Sequence, residues 1–186
     1  IGGLEFQPDL VWIKVRNNVD HHALFDAVRG ATKKVYPSDD AAEVTDAQTL
    51  KSFDSDGFTV GTEGGVNLDN KKFVAWCFDA GTTTSGANNN GSINIASGDQ
   101  WVNATAGFSI TKFTGTGANA TVGHGLNVVP DCMIFKSLDA DTGWIMSHVG
   151  LGRGTGRLRF DDNIANTTQY DSSYWNSTAS TNTVIN

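Results

Sequence analysis

A twelve-residue stretch occurs twice in this chain, and that repetition constrains the fold more than anything else in the sequence. It reads Gly3-Leu4-Glu5-Phe6-Gln7-Pro8-Asp9-Leu10-Val11-Trp12-Ile13-Lys14 near the start and Gly125-Leu126-Asn127-Val128-Val129-Pro130-Asp131-Cys132-Met133-Ile134-Phe135-Lys136 in the second half. At a constant offset of 122, five of the twelve positions are identical and five more exchange one apolar residue for another. A solenoid or propeller blade repeats every 20 to 50 residues, so the repeated unit here is a whole small domain with its own core. In each copy a Pro-Asp turn feeds an uninterrupted apolar run rich in β-branched and aromatic residues, the pattern of a sandwich-core strand.

The rest of the chain extends the correspondence. His22 to Gly30 is a second strand, answered by Trp144 to Gly150 if a one-residue gap is allowed, and Lys33 to Pro37 a third answered by Arg157 to Phe160. Asp54-Ser55-Asp56-Gly57 is a turn leading to the strand Phe58 to Gly61, and Lys72 to Phe78 is the most hydrophobic strand of the first copy. Ala41 to Leu50 has the makings of one short helical turn. The Gly64-Gly65 pair reads as a turn. With 21 Gly against 3 Pro, and Thr, Ser, Asn and Asp between short apolar runs, the expected class is all-β. The expectation is an antiparallel β-sandwich of jelly-roll or concanavalin-like type, in two related partial modules. Residues 1–80 form the C-terminal part of the first, 81–106 a Gly/Thr/Asn-rich connector, and 107–186 the N-terminal part of the second. The strand Gly107 to Phe113 has no counterpart before Ile1, and Lys72 to Phe78 has none after Ile185. A window cut out of register from a tandem array, with the open edges covered by other polypeptide, is therefore expected.

Charge and chemistry narrow the function. A formal charge of −7, without a basic stripe, argues against nucleic acid and anionic membranes as partners. No apolar run approaches the ~20 residues of a membrane-spanning helix. Cys77 and Cys132 sit in apolar strand-like runs and read as small buried hydrophobes without a local disulfide partner. No cofactor is expected: the Gly115-Thr116-Gly117 loop leads into another strand and not into a helix that could face a pyrophosphate. No catalytic group stands out, since no Gly-x-Ser-x-Gly elbow exists and the carboxylates fall in turns. Asp54 and Asp56, and Asp139 and Asp141, are loop carboxylate pairs of the kind that hold calcium in sandwich lectins, but they are too few for an EF-hand loop, and ordinary turns are the preferred reading. Trp101, Tyr174 and Trp175 lie among Asn and Ser and are the candidate binding aromatics.

The order of motifs adds a resemblance. Phe108-Ser109-Ile110 with Phe113-Thr114-Gly115 and Gly117 comes first. Thr121-Val122, His124-Gly125-Leu126, Pro130-Asp131, Ile134 and Lys136 follow, then Trp144-Ile145 and His148. In the other copy stand Ala23 to Gly30, Ser55 to Gly61 and Val74 to Phe78. Over nearly its whole length the chain resembles tandem modules of large tail and fibre-type structural proteins of marine and other tailed bacteriophages. That resemblance implies a non-enzymatic virion component (tail, fibre or surface-exposed part) that assembles with copies of itself or other virion proteins and contacts host-surface glycans. A carbohydrate-binding module of a secreted bacterial protein, alone or attached to a glycan-degrading enzyme, is the alternative. From Arg159-Phe160 onward the second copy turns to Asn, Thr and Ser, so a ligand site common to both copies is not expected.

Overall fold

The computed structural model describes residues 1–83, 90–152, 156–159, 169–170, 175–176 and 178–186. It is all-β with antiparallel pairing throughout. Two compact units form, one of residues 1–79 with 137–143, the other of residues 80–136 with 144–186.

Unit 1 contains β1 (Leu10–Val15), β2 (Ala23–Asp26), β3 (Lys33–Lys34), β4 (Val44–Thr45), β5 (Leu50–Asp54), β6 (Gly57–Val60), α1 (Gly64–Asn67) and β7 (Phe73–Phe78). β1 is the middle strand of the sheet β2-β1-β7. Its burial alternates, with Val11, Ile13 and Val15 inward, because successive side chains of a strand point to opposite faces. The inward face packs with Ala23 and Phe25 of β2 on Leu50, Phe58 and Val66, which come from the β5–β6 hairpin and α1. Each large side chain buried there contributes about 1.5–3 kcal/mol of transfer free energy. Gly57 is needed where the first residues cross this hairpin, since a Cβ on it would lie 1.9 Å from the Ile1 carbonyl oxygen.

One side of the core is tied by a buried guanidinium. Arg29 Nε donates to Asp26 Oδ2 at 2.5 Å, Nη1 to Glu43 Oε2 at 3.1 Å and to the Lys33 carbonyl, and Nη2 to the Leu24 carbonyl. Glu43 also takes Lys33 Nζ at 3.2 Å. This network explains why Ala41 to Leu50 is not helical: Glu43 is held by the two cations, and Val44–Thr45 pairs with β3 as a short strand. The one described α-helix stands at Gly64–Asn67 instead, where Gly64-Gly65 reads as a turn, started by the Glu63 carboxylate accepting from the Gly65 amide at 3.1 Å. Residues 137–143 join this unit through Glu43 N–H to the Leu138 carbonyl and Ala42 N–H to Asp141 Oδ1, both 2.9 Å.

Unit 2 contains β8 (Thr82–Thr83), β9 (Gln100–Asn103), β10 (Phe108–Thr111), β11 (Val122–Gly123), β12 (Cys132–Phe135), β13 (Ile145–His148), a 3-10 turn at Val149–Leu151, β14 (Gly156–Arg159), β15 (Gln169–Tyr170) and β16 (Val184–Ile185). Its sheets run β10-β9-β8, β11-β16 and β12-β13-β14-β15. The segment read as a connector, 81–106, supplies two of these strands and the buried Ile93 and Ile95, which pack with Val122. Gln100, fully buried, joins β9 to its neighbours through Nε2–H donation to Thr111 Oγ1 and the Gly123 carbonyl.

The repeat is a repeat of structure. In β1–β2 the pairs are Leu10↔Asp26, Val11↔Phe25, Trp12↔Leu24 and Ile13↔Ala23; in β12–β13 they are Cys132↔His148, Met133↔Ser147, Ile134↔Met146 and Phe135↔Ile145. All four correspond at the offset of 122, so the one-residue gap allowed from the sequence is not needed. The flanking turn is duplicated as well. Gly3 and Gly125 have φ of 91° and 74°, and the non-glycine residues two places on, Glu5 and Asn127, have φ of 64° and 61°. Ala27 N–H donates to the Asp9 carbonyl at 2.8 Å as Val149 N–H does to that of Asp131 at 2.7 Å.

Candidate functional site

Among the described residues, the inward face of the β12–β13 hairpin in unit 2 meets no second apolar hairpin as its counterpart in unit 1 does. Phe135 and Ile145, which stand where Ile13 and Ala23 stand in unit 1, instead line a concavity of about 520 Å³. Trp175 closes one wall. It is 4% exposed, its ring lies 5.6 Å from that of Phe135 at 54°, and its Nε1–H donates to the Gly156 carbonyl at 3.2 Å. Phe113, Val122 and Ile185 add apolar surface, and the 115–120 loop between β10 and β11 makes the rim. On that rim Asn119 Nδ2 donates to Asn176 Oδ1 at 2.7 Å, and Thr116 Oγ1 to the Ala118 carbonyl at 3.1 Å. The described lining is aromatic, aliphatic, amide and hydroxyl, with no ionisable side chain. Such a surface can stack on a flat apolar face and exchange neutral hydrogen bonds at the margin. Its size is that of a small-molecule site.

Of the residues singled out from the sequence, Trp175 is in this wall. Trp101 is not: it lies half-buried on β9, paired with Ile110 of β10 and Thr83 of β8. Tyr174 is outside the described residues. Three of the four candidate carboxylates accept hydrogen bonds from the protein's own amides and hydroxyls. Asp54 accepts from the Ser52 and Thr59 hydroxyls at 2.7 and 2.8 Å, and these bonds lower its pKa. Asp56 accepts from the Glu5 and Gly3 amides at 2.6 and 2.9 Å, which lowers its pKa and clamps the repeated turn. Asp141 receives the Ala42 amide, and Asp139 is exposed. Among the described residues no three His, Cys, Asp or Glu side chains are grouped to hold a metal ion. Both cysteines are free, and Cys132 is exposed on β12 where its apolar surroundings in sequence suggest burial.

The chain belongs to the family Domain of unknown function (DUF7483), matched over residues 1–186. That match spans both units, so the family's own domain contains both copies of the hairpin. Searches of curated proteins and of solved structures gave no match.

A second surface escaped the reading of the sequence. On the outward face of β2-β1-β7, Trp12 meets Trp76 edge-on at 5.9 Å and the His22 ring at 5.7 Å, and Trp12 Nε1–H donates to His22 Nδ1 at 2.9 Å. Accepting at Nδ1 fixes His22 as the neutral Nε2–H tautomer. Burial first, then the charge of Lys14, pushes its pKa down in keeping with that. Trp76 and Phe78 remain 45% and 43% exposed beside this pair. The signal was present in the alternation: Leu10, Trp12 and Lys14 share one face of β1, and Val74, Trp76 and Phe78 share the matching face of β7. A run apolar on both faces hides which face is inward.

Proposed function

We propose that this chain is a non-enzymatic structural and adhesion module of a phage virion protein, located in a tail, fibre or other surface-exposed part. It assembles with other copies of itself or other virion proteins, and unit 2 contacts a host-surface glycan. The observation that carries the binding half is the concavity: Phe113 and Phe135 supply stacking surface, buried Trp175 backs the Phe135 ring, and Asn119, Asn176 and Thr116 supply neutral hydrogen-bonding groups at its margin. Uncharged sugars are held by that combination. The ordered motifs and the register-identical hairpins support a parent built of repeated modules. A carbohydrate-binding module of a secreted bacterial protein uses the same concavity, and only the parent differs. The test is a glycan array with the recombinant chain beside Phe113→Ala, a substitution at a partly exposed wall residue. Retention of particular glycans by the wild type and their loss in the variant, at unchanged melting temperature, is the expected result. Failure to retain any glycan removes the adhesion half, and turnover of a bound polysaccharide removes the non-enzymatic reading. Mass spectrometry of purified particles separates virion from secreted parent.

A further inference from the structure

We infer that the concavity of unit 2 takes the acetamido group of an N-acetylated sugar, with the methyl group inside and the amide at the rim formed by Asn119 and Asn176. This rests on the glycan reading above and names the class of sugar. The wall decides which part of a sugar can enter. Ile93, Phe113, Val122, Phe135, Ile145 and Ile185 all contribute apolar surface. A sugar hydroxyl pressed against them leaves water without gaining a hydrogen-bond partner, and that opposes binding. An unsubstituted hexose carries hydroxyls around its whole edge, so it can lie on the partly exposed Phe113 ring but cannot insert. A methyl group can. An acetamido substituent puts one at the end of a short planar arm.

The rim matches the rest of that arm. Asn119 Nδ2–H donates to Asn176 Oδ1 at 2.7 Å, and both residues are exposed where they line the concavity. This single bond leaves Asn119 Oδ1 as an acceptor and Asn176 Nδ2–H as a donor, neither with a protein partner among the described residues. An acetamido group has one donor, its N–H, and one acceptor, its carbonyl oxygen, both on atoms bonded to the carbon that carries the methyl. The two pairs answer each other one for one. Their mutual bond also orders the two asparagines before a ligand arrives, which lowers the cost of binding. The described lining offers no counter-charge to a carboxylated sugar or to a free amino sugar. A 6-deoxy sugar also presents a methyl group, but the ring oxygen beside it is a poorer acceptor than an amide carbonyl.

The experiment titrates the full chain with N-acetylglucosamine, N-acetylgalactosamine, glucose, glucosamine and 6-deoxygalactose, and follows saturation transfer from the aromatic protons of the protein to each sugar. At least one acetamido sugar should bind about tenfold or more tighter than glucose and glucosamine, with its acetyl methyl the most strongly saturated group. Asn176→Ala, at unchanged melting temperature, should erase most of that advantage. Glucose bound as tightly as both acetamido sugars, or an acetyl methyl saturated less than the ring protons, overturns the inference and leaves the glycan reading standing. Tighter binding of 6-deoxygalactose overturns it in favour of a deoxy methyl, and an advantage untouched by Asn176→Ala overturns the assignment to this rim. If neither acetamido sugar binds while the glycan array retains other sugars, the inference alone falls. If the array retains none, the glycan reading falls with it.

Discussion

The hairpins β1–β2 and β12–β13 share every cross-strand pair and the same entry turn, yet one forms the floor of a packed core and the other the wall of a concavity. Position by position, Phe25 of the first becomes Ser147 of the second, and Val11, fully buried, becomes the half-buried Met133. The residues kept identical, Gly, Leu, Pro, Asp and Lys, include the turn and the strand start. Hydrogen-bond register thus depends on a few backbone-directing positions, whereas the layer beneath is set by side chains that were free to diverge. The buried salt-bridge cluster shows the same divergence. Asp26 and Arg29 correspond to His148 and Leu151, and His148 instead caps the following 3-10 turn by accepting from the Gly150 amide at 3.0 Å.

The largest expected effect tests whether unit 1 alone depends on this layer. Phe25→Ala empties the centre of a close-packed cluster and should cost about 3–5 kcal/mol, while Ser147→Ala at the matched position should stay within about 1 kcal/mol. Urea unfolding of the two variants measures both, and equal costs would break the comparison.

An intermediate effect separates the units by pH. His124 of unit 2 is buried, donating from Nε2–H to the Thr181 carbonyl and accepting the Leu126 amide at Nδ1, both at 3.2 Å. Burial pushes its pKa below the ordinary 6.5, and the Thr181 carbonyl offsets this only in part. The unfolded chain then takes up its proton near 6.5 and the folded chain at lower pH, so the unfolded state binds more protons as pH falls. The stability contribution is whole above 6.5 and is lost progressively below it. His22 of unit 1 shifts in the same direction but is less buried. Melting temperature followed from pH 7 to pH 5 should therefore fall less steeply in His124→Gln than in the wild type, with His22→Gln flattening the curve less than His124→Gln does.

The smallest effect sharpens the match between the turns. Glu5 and Asn127 occupy the same left-handed conformation, which asparagine tolerates better than glutamate because its short amide bonds locally. Glu5→Asn should raise stability by about 0.5–1 kcal/mol, read as a small rise in melting temperature, and Asn127→Glu should lower it by a similar amount.

Much of the local architecture was legible in the residues. Pro8-Asp9 and Pro130-Asp131 marked the strand starts, Asp56-Gly57 the β5–β6 turn, and the offset of 122 fixed which strands correspond. The Glu63-capped helix was hidden because Gly64-Gly65 has low helix propensity, and a side-chain cap three residues from a core valine outweighs that locally. Trp175 was found as an aromatic among polar neighbours, and Trp101 was chosen on the same signal. Only the first reached a concavity, since a tryptophan's surroundings depend on chain segments far away in sequence.

The sequence by itself determined the strand pairs that form between neighbours, the turns joining them and the duplication, because period-two alternation and turn chemistry act over a few residues. Tertiary structure alone decided which face of β1 and β7 is inward, that residues 137–143 join unit 1 while their flanking strands belong to unit 2, and that the β12–β13 face borders a concavity. Those outcomes rest on burial against residues tens of positions away, and burial is a property of the assembled layers that no local window of sequence contains.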